Sequence, residues 1–371
     1  MLIDFAQGRP IVVDRACYRE LVNGAINRPH DTASRAPTFH RAASTIGLGR
    51  VYRVKLAAFW RSTLMRRFGL FCLLGVLIGL GAPAVARADG LPIVDLSSDP
   101  WFIGWSELLP SAYMGVNTDS ADDCVAGRIQ CVDRVARRLE QQVSSLGCDH
   151  NAVFSLAYQR TTEKVAAVER GDPGFFADNP WLNHYDAVFA DFYFTAWNRW
   201  QTSRSAPPAW KIAFDAADRR QVSAAGNLLL GMSAHVNRDL PFTLYAIGLV
   251  APDGSSRKSD HTRVNRILNQ VVSPLLDEIA ARYDPAVRVV PGLGSLGDFL
   301  QFQALPAWRE QAWRHAELLA SAPNAAARAV IATTIEQAAA VEATALLTLT
   351  SYIPPLTTSA ARDAHCSAHV G

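Results

Sequence analysis

Beyond residue 120 the chain follows the three-to-four-residue rhythm that places apolar side chains on one face of an α-helix. Val132, Val135, Leu139, Val143 and Leu146 open the series; Phe154, Ala157, Thr161, Val165 and Val168 follow, then Tyr185, Val188, Phe189, Phe192 and Ala196. Val222, Ala225, Leu229, Met232 and Val236 form the next stripe, and Val264, Ile267, Leu268, Val271 and Leu275 the one after it. Trp308, Ala312, Ala316 and Leu319 mark another helix, and Ala325 to Thr350 is a long Ala-rich stretch ended by Pro354-Pro355. Only Val287 to Val290 looks strand-like. So many helical stripes with almost no alternating segments predict an all-α fold, a helical bundle-like single domain over residues 122–352. Residues 89–121 carry Pro92, Pro100 and Pro110 among Trp101, Phe102, Trp105 and Tyr113, which predicts an irregular N-terminal arm, and residues 353–371 are expected to form a C-terminal tail.

Charge divides the chain differently. The 371 residues hold 36 Lys/Arg and 34 Asp/Glu, yet residues 1–64 have ten basic against four acidic groups, and Arg66, Arg67 and Arg87 follow. The remainder has 23 basic and 30 acidic groups. An acidic body repels phosphate backbones, so no nucleic-acid partner is expected. Met65-Arg-Arg, the apolar run Phe68 to Ala82 and the small-x-small site Ala86-Arg87-Ala88 have the order of a signal peptide over residues 65–88. Phe68 to Ala86 is also long enough to anchor the chain in a bilayer. Gly69, Gly75, Gly79, Gly81 and Pro83 weaken a spanning helix, which favours cleavage and a secreted or cell-envelope protein whose only membrane contact is this segment. A signal peptide should open a chain, so translation is expected to start at Met65 and residues 1–64 to be a non-native or disordered basic extension.

Cys17 and Cys72 fall in the leader, leaving Cys124, Cys131, Cys148 and Cys366, an even number suited to two disulfides in an oxidising compartment. Three pairings are possible. A continuous helix between Cys131 and Cys148 would hold them about 25 Å apart, well beyond the roughly 7 Å that a disulfide spans. Of the pairings left, Cys124 with Cys131 and Cys148 with Cys366 is the one we favour, the second tying down the C-terminal tail. Zinc ligation is the alternative, though the chain has no Cys-x-x-Cys.

The glycines of Gly292-Leu-Gly294-Ser-Leu-Gly297 match a dinucleotide fingerprint, but Pro291 precedes them and no βαβ pattern surrounds them, so a flexible loop is expected. More informative is Gly231-Met-Ser-Ala-His235-Val-Asn237-Arg-Asp239-Leu-Pro241. His235 and Asp239 stand four apart, on one helix face, and continue the apolar row of Leu228 and Met232. A carboxylate turned toward a core needs a metal, a cation or a hydrogen-bond network. On a regular helix Arg238 is turned about 100° away and does not reach it easily. Asp186 is a second charge on an otherwise aromatic row with Ala190, Tyr193, Trp197 and Trp200. His235, Asp239 and Asp186 are therefore the candidate metal ligands, for one divalent ion, zinc first. His184, Asp191 and Asn198 share a polar face expected to be solvated. Asp149 and Asp260 read as helix N-caps, with His150 and His261 just inside them as candidate catalytic bases or a fourth ligand.

Four segments carry a resemblance: Cys148-Asp-His-Asn-Ala-Val-Phe-Ser-Leu-Ala-Tyr158, Tyr185-Asp-Ala-Val-Phe-Ala-Asp-Phe-Tyr193, Met232 to Pro241, and Asp260-His-Thr-Arg-Val-Asn265. Together they resemble an uncharacterised family of actinobacterial helical proteins, a domain of unknown function with a His-x-Asn-x-Asp-Leu-Pro motif. The resemblance covers roughly Cys131 to Leu319 and implies an all-helical fold and no activity. A looser similarity is to the helical zinc-dependent phospholipase C and single-strand nuclease superfamily, which also has His-x-x-x-Asp on a core helix. That superfamily uses an N-terminal Trp and a further His soon after the Asp; here the expected mature terminus is Asp89, and Leu240 to Leu249 holds no His. A three-metal cluster is not expected.

Two functions from different classes follow. The first is a secreted metal-dependent hydrolase, with a metal-bound water made nucleophilic by the ion. The second is a non-catalytic extracellular or envelope protein that binds a small-molecule or envelope ligand, in which the buried polar residues only join helices.

Overall fold

A computed structural model of the chain describes residues 2–4, 9–11, 115–290 and 294–370. The signal segment, most of the basic extension and arm, Cys17, Cys72 and Gly292 lie outside the described residues. Leu2–Asp4 (β1) and Arg9–Ile11 (β2) pair as an antiparallel ladder of their own.

The body is all-α. Its first helices are α1 (Ile129–Leu146), α2 (Ala152–Gly171), α3 (Asn179–Ser203) and α4 (Pro208–Asp218). On α1 the predicted stripe residues Val132, Val135, Leu139 and Val143 are buried together with Cys131, Leu146 is partly buried, and the helix is laid against α2. Helix α2 runs through the interior and buries every residue from Ala152 to Gln159. Asp178 caps α3 by accepting from the Trp181 backbone N–H at 3.0 Å, with Pro180 in the first turn, where its missing donor costs nothing.

The centre is a helix that changes its winding. After α5 (Ala224–Ser233) the segment Ala234–Asp239 is π-helical, and α6 (Leu240–Ile247) continues it. The Leu240 N–H donates to His235 O, five residues back. Pro241 follows; it has no N–H, and its ring crowds the carbonyl four residues earlier, so the wider turn removes the clash. The same arrangement recurs. After α7 (Lys258–Arg282), the short ladder of β3 (Val289–Val290) with β4 (Gly294–Ser295), and α8 (Leu296–Phe299), the segment Leu300–Ala304 is π-helical. Leu305 donates to Leu300 O and Pro306 comes next, at the start of α9 (Leu305–Ser321).

The long helix α10 (Ala325–Thr350) packs on α4 and α5. Among the described residues it alone is long and apolar enough to cross a membrane, but Ala332, Ile335, Ala339, Ala343 and Leu346 form a buried face. Part of the stretch read as a tail is helical, α11 (Ala360–His369). It is fixed by the Cys148–Cys366 disulfide and by Arg362 Nη1, which donates to Cys148 O at 2.6 Å. The other disulfide joins Cys124 to Cys131, so both favoured pairs are present, with Cα separations of 5.0 and 5.8 Å. Where the sequence resembles a dinucleotide loop, β3 pairs antiparallel with β4, and among the described residues no βαβ unit surrounds it.

Candidate functional site

His235 and Asp239 sit on the central π-helical turn, where all six residues are buried. Every oxygen of Asp239 is engaged. Oδ1 accepts from Arg238 Nη1 at 2.9 Å; Oδ2 accepts from Trp210 Nε1 at 2.8 Å and is 3.0 Å from His235 Nδ1. Arg238 thus does reach its neighbour, against the expectation for a regular helix. It continues to Glu336 through Nε at 2.8 Å and lies over the Phe242 ring, 5.0 Å from its centroid. Burial alone would ease the proton off this guanidinium, but Glu336 and Asp239 together hold it more firmly than usual.

Indole and guanidinium can only donate, so the Asp239 carboxylate is an acceptor to both, and His235 Nδ1 is its third donor. That fixes the tautomer and leaves Nε2 with a bare lone pair. Nε2 has no hydrogen-bond partner. The imidazole lies flat on Phe189, with centroids 3.5 Å apart and planes 8° apart, and Tyr158 is 4.6 Å away. Burial pushes its pKa down, against the pull of Asp239.

His235 lines a partly open cavity of about 110 Å³ bordered by α2, α3, α7, α9 and both π-helical turns. Its walls are mostly aliphatic, with Val264, Leu268, Val271, Leu275 and Leu276 on the α7 side. The polar lining is sparse: Thr161, Tyr158, Tyr185, Asp186, His235 and Arg309. Asp186 Oδ2 and the Tyr158 hydroxyl, like His235 Nε2, are buried and have no partner. Burial, reinforced by Glu169, pushes the Asp186 carboxyl up to about 7. Burial also raises the Tyr158 hydroxyl, with Asp186 the next cause. Arg309 is held in place: Nε donates to Asn265 Oδ1 at 2.7 Å, Nη1 to Tyr185 Oη at 3.3 Å, and Nη2 to the His261 carbonyl.

The candidate residues do not converge as the sequence suggests. Among the described residues no three His, Cys, Asp or Glu side chains are grouped to hold a metal. His235 and Asp186 line the cavity, whereas Asp239 stands behind His235 with both oxygens bonded. His261 is one layer out, with Nε2 3.1 Å from the Arg309 carbonyl and Nδ1 3.3 Å from Arg309 Nη2, so it positions that arginine. Burial, then the Arg309 charge, keeps its pKa well below the ordinary range. His150 belongs elsewhere: its Nε2 is 3.0 Å from Asp363 Oδ1 of α11, and it lines a separate small cavity with Asn227. Asp260 does not cap its own helix but accepts from the backbone N–H groups of Ala177 and Asp178, at 2.9 and 2.8 Å, while Asp149 accepts from Asn151 N just before α2. Asp191 and Asn198 are exposed as expected, but His184 is buried, with Nδ1 2.7 Å from the Cys124 carbonyl, because the loop closed by Cys124–Cys131 folds over it.

Sequence reasoning passes over Trp210, Tyr158 and Arg309. Arg309 has a signal of the kind that exposes Asp186: it heads the row Ala312, Trp313, Ala316, all buried, where a charge is out of place. Tyr158 closes one of the segments quoted above for the resemblance, but on α2 it reads as one more core aromatic.

No curated protein and no solved structure matches the chain. Every residue that lines the cavity or supports His235 lies within residues 132–349, the span over which the chain matches the model of a family of unknown function (DUF5995), and to that family the chain belongs.

Proposed function

We propose that this protein is a non-catalytic binding protein of the secreted space or cell envelope, which holds an apolar small molecule inside its helical core. One observation carries the proposal: a partly open, largely aliphatic cavity lined by His235, Asp186 and Tyr158, whose Nε2, Oδ2 and Oη atoms are buried with nothing to bond. A buried polar atom without a partner costs about 1 to 3 kcal/mol, and a bound molecule with one polar group relieves that cost while its body fills the apolar space. Two disulfides and the signal-like order of residues 65–88 support an oxidising compartment.

The hydrolase reading draws on the same atoms. A zinc ion at His235 Nε2 and Asp186 Oδ2 would have two protein ligands, one short of the usual catalytic set, and Asp239 cannot supply the third without leaving Trp210 and Arg238. The residues present do not fit that site, and we derive no metal step.

Titration of the chain with a neutral apolar dye such as N-phenylnaphthylamine tests the proposal. Saturable binding at one site is expected, weakened about tenfold or more in Ala157→Leu, which extends a cavity-lining side chain. Absence of saturable binding, or equal binding by a folded Ala157→Leu protein, would refute it. One equivalent of bound zinc lost in His235→Ala would favour the hydrolase instead.

A further inference from the structure

Resting on the cavity being a ligand site, we infer that its occupant is an alcohol: an apolar body carrying a hydroxyl that donates its proton to His235 Nε2. The wall is rich in acceptors and poor in free donors. Asp239 holds the proton on His235 Nδ1, so Nε2 can only accept while the imidazole is neutral. The imidazole is 4% exposed and lies flat on Phe189, with the Tyr158 ring tilted by 59° beside it at 4.6 Å. Asp186 lies one helical turn before Phe189 on the cavity side and offers a second acceptor.

The cation on the wall does not balance them. A guanidinium has five N–H donors, and Arg309 directs at least four of them to Asn265, Tyr185 and the carbonyl and ring of His261. No paired fork remains for a carboxylate, which would in addition meet Asp186. A carboxylate head, as on a fatty acid, is therefore disfavoured. An ammonium would find Asp186, but it would have to shed its water among aliphatic side chains beside a carboxyl that is itself protonated over part of the neutral range. A hydroxyl needs no counter-ion. It gives one proton to His235 Nε2 and can accept one from the free Tyr158 hydroxyl, which leaves neither protein atom unpaired.

Binding of decanol, its methyl ether and decanoate to the full chain, by calorimetry at pH 7.5, separates these heads on one chain length. The ether keeps the oxygen as an acceptor but has no proton to donate. We expect decanol to bind about tenfold more tightly than the ether, the worth of one buried hydrogen bond, and decanoate to bind most weakly. In His235→Phe, where Asp239 keeps its bonds to Arg238 and Trp210, the preference for alcohol over ether should vanish while ether binding persists. Equal binding of decanol and ether by the wild-type chain would overturn the inference alone, as would tightest binding by decanoate or a preference that survives His235→Phe. The wild-type comparison needs no variant to fold. Failure of all three probes to bind would remove the ligand site itself, and the inference with it.

Discussion

At the scale of single residues, the cavity is organised by groups that act through one another. Asp239 never meets the cavity, yet it decides which nitrogen of His235 is free; His261 does not meet it either, yet it uses up the donors of Arg309. Asp186 is the exception, a carboxyl turned inward with no protein partner for Oδ2, and its stability consequence can be signed. Its pKa is raised from 3.8 to about 7, so the folded chain holds this proton more tightly than the unfolded one. Folding is then favoured at low pH relative to high, and the advantage is lost as pH rises from about 4 through about 7. Asp186→Asn removes the titration while keeping size and polarity. Urea unfolding should give nearly equal stabilities near pH 3.5 and an advantage for Asp186→Asn that grows through pH 5 to about 3 to 4 kcal/mol at pH 8. A constant difference between the two proteins over that range would show that Asp186 ionises freely in the fold.

At the scale of elements, the site depends on how closely α2 approaches α5. A Cβ at Gly231 would stand 2.4 Å from Cγ and 2.7 Å from Cβ of Phe154, whose ring meets Tyr193, Trp210 and His235 at 5.2, 5.3 and 5.7 Å. Gly231→Ala would gain about 1 kcal/mol of helix propensity. The clash falls on the stem of Phe154, which cannot rotate away, so overpacking outweighs that gain and a net loss of about 2 kcal/mol is expected. A denaturation midpoint lowered at unchanged slope would register it; an unchanged midpoint would mean that the two helices are free to separate. The helices themselves are legible in the sequence because burial imposes its period on them: Val264, Ile267, Val271 and Leu275 are all buried, as are Trp308, Ala312, Ala316 and Leu319. The two π-helical turns are not legible that way, since apolar rows continue through them. Their one sequence sign is Leu-Pro at residues 240–241 and 305–306, which also suits the first turn of an ordinary helix. Missing the first of them is what separates Arg238 from Asp239 on paper. His235 and Asp186 stand out as polar groups on apolar rows, but whether they share a cavity depends on which helices pack together, and periodicity along one chain does not contain that.

For the whole molecule, the two disulfides differ most in what they constrain. Cys124–Cys131 closes seven residues of sequence separation, whereas Cys148–Cys366 closes 218 and joins the start of α2 to the last helix. By loop-closure entropy the short link restricts the unfolded chain by about 2.5 kcal/mol and the long one by about 5. The native contacts act in the same direction. Around Cys366, α11 is also held by Arg362 to the Cys148 carbonyl and by Asp363 to His150 and Arg220, at 2.6, 3.0 and 3.3 Å. Those polar contacts are local and cannot replace a covalent limit on the unfolded ensemble, but they keep α11 docked in the native state, so loss of the long disulfide should leave helical content nearly unchanged. Replacing Cys148 and Cys366 together by Ser should therefore lower unfolding free energy by about 3 to 5 kcal/mol, and replacing Cys124 and Cys131 together by about 2 kcal/mol. Urea titrations of the two double variants beside the oxidised wild type decide the matter. Equal losses, or a larger loss from the short loop, would mean that the disulfides act through native packing at their own sites and not through the length of chain they close.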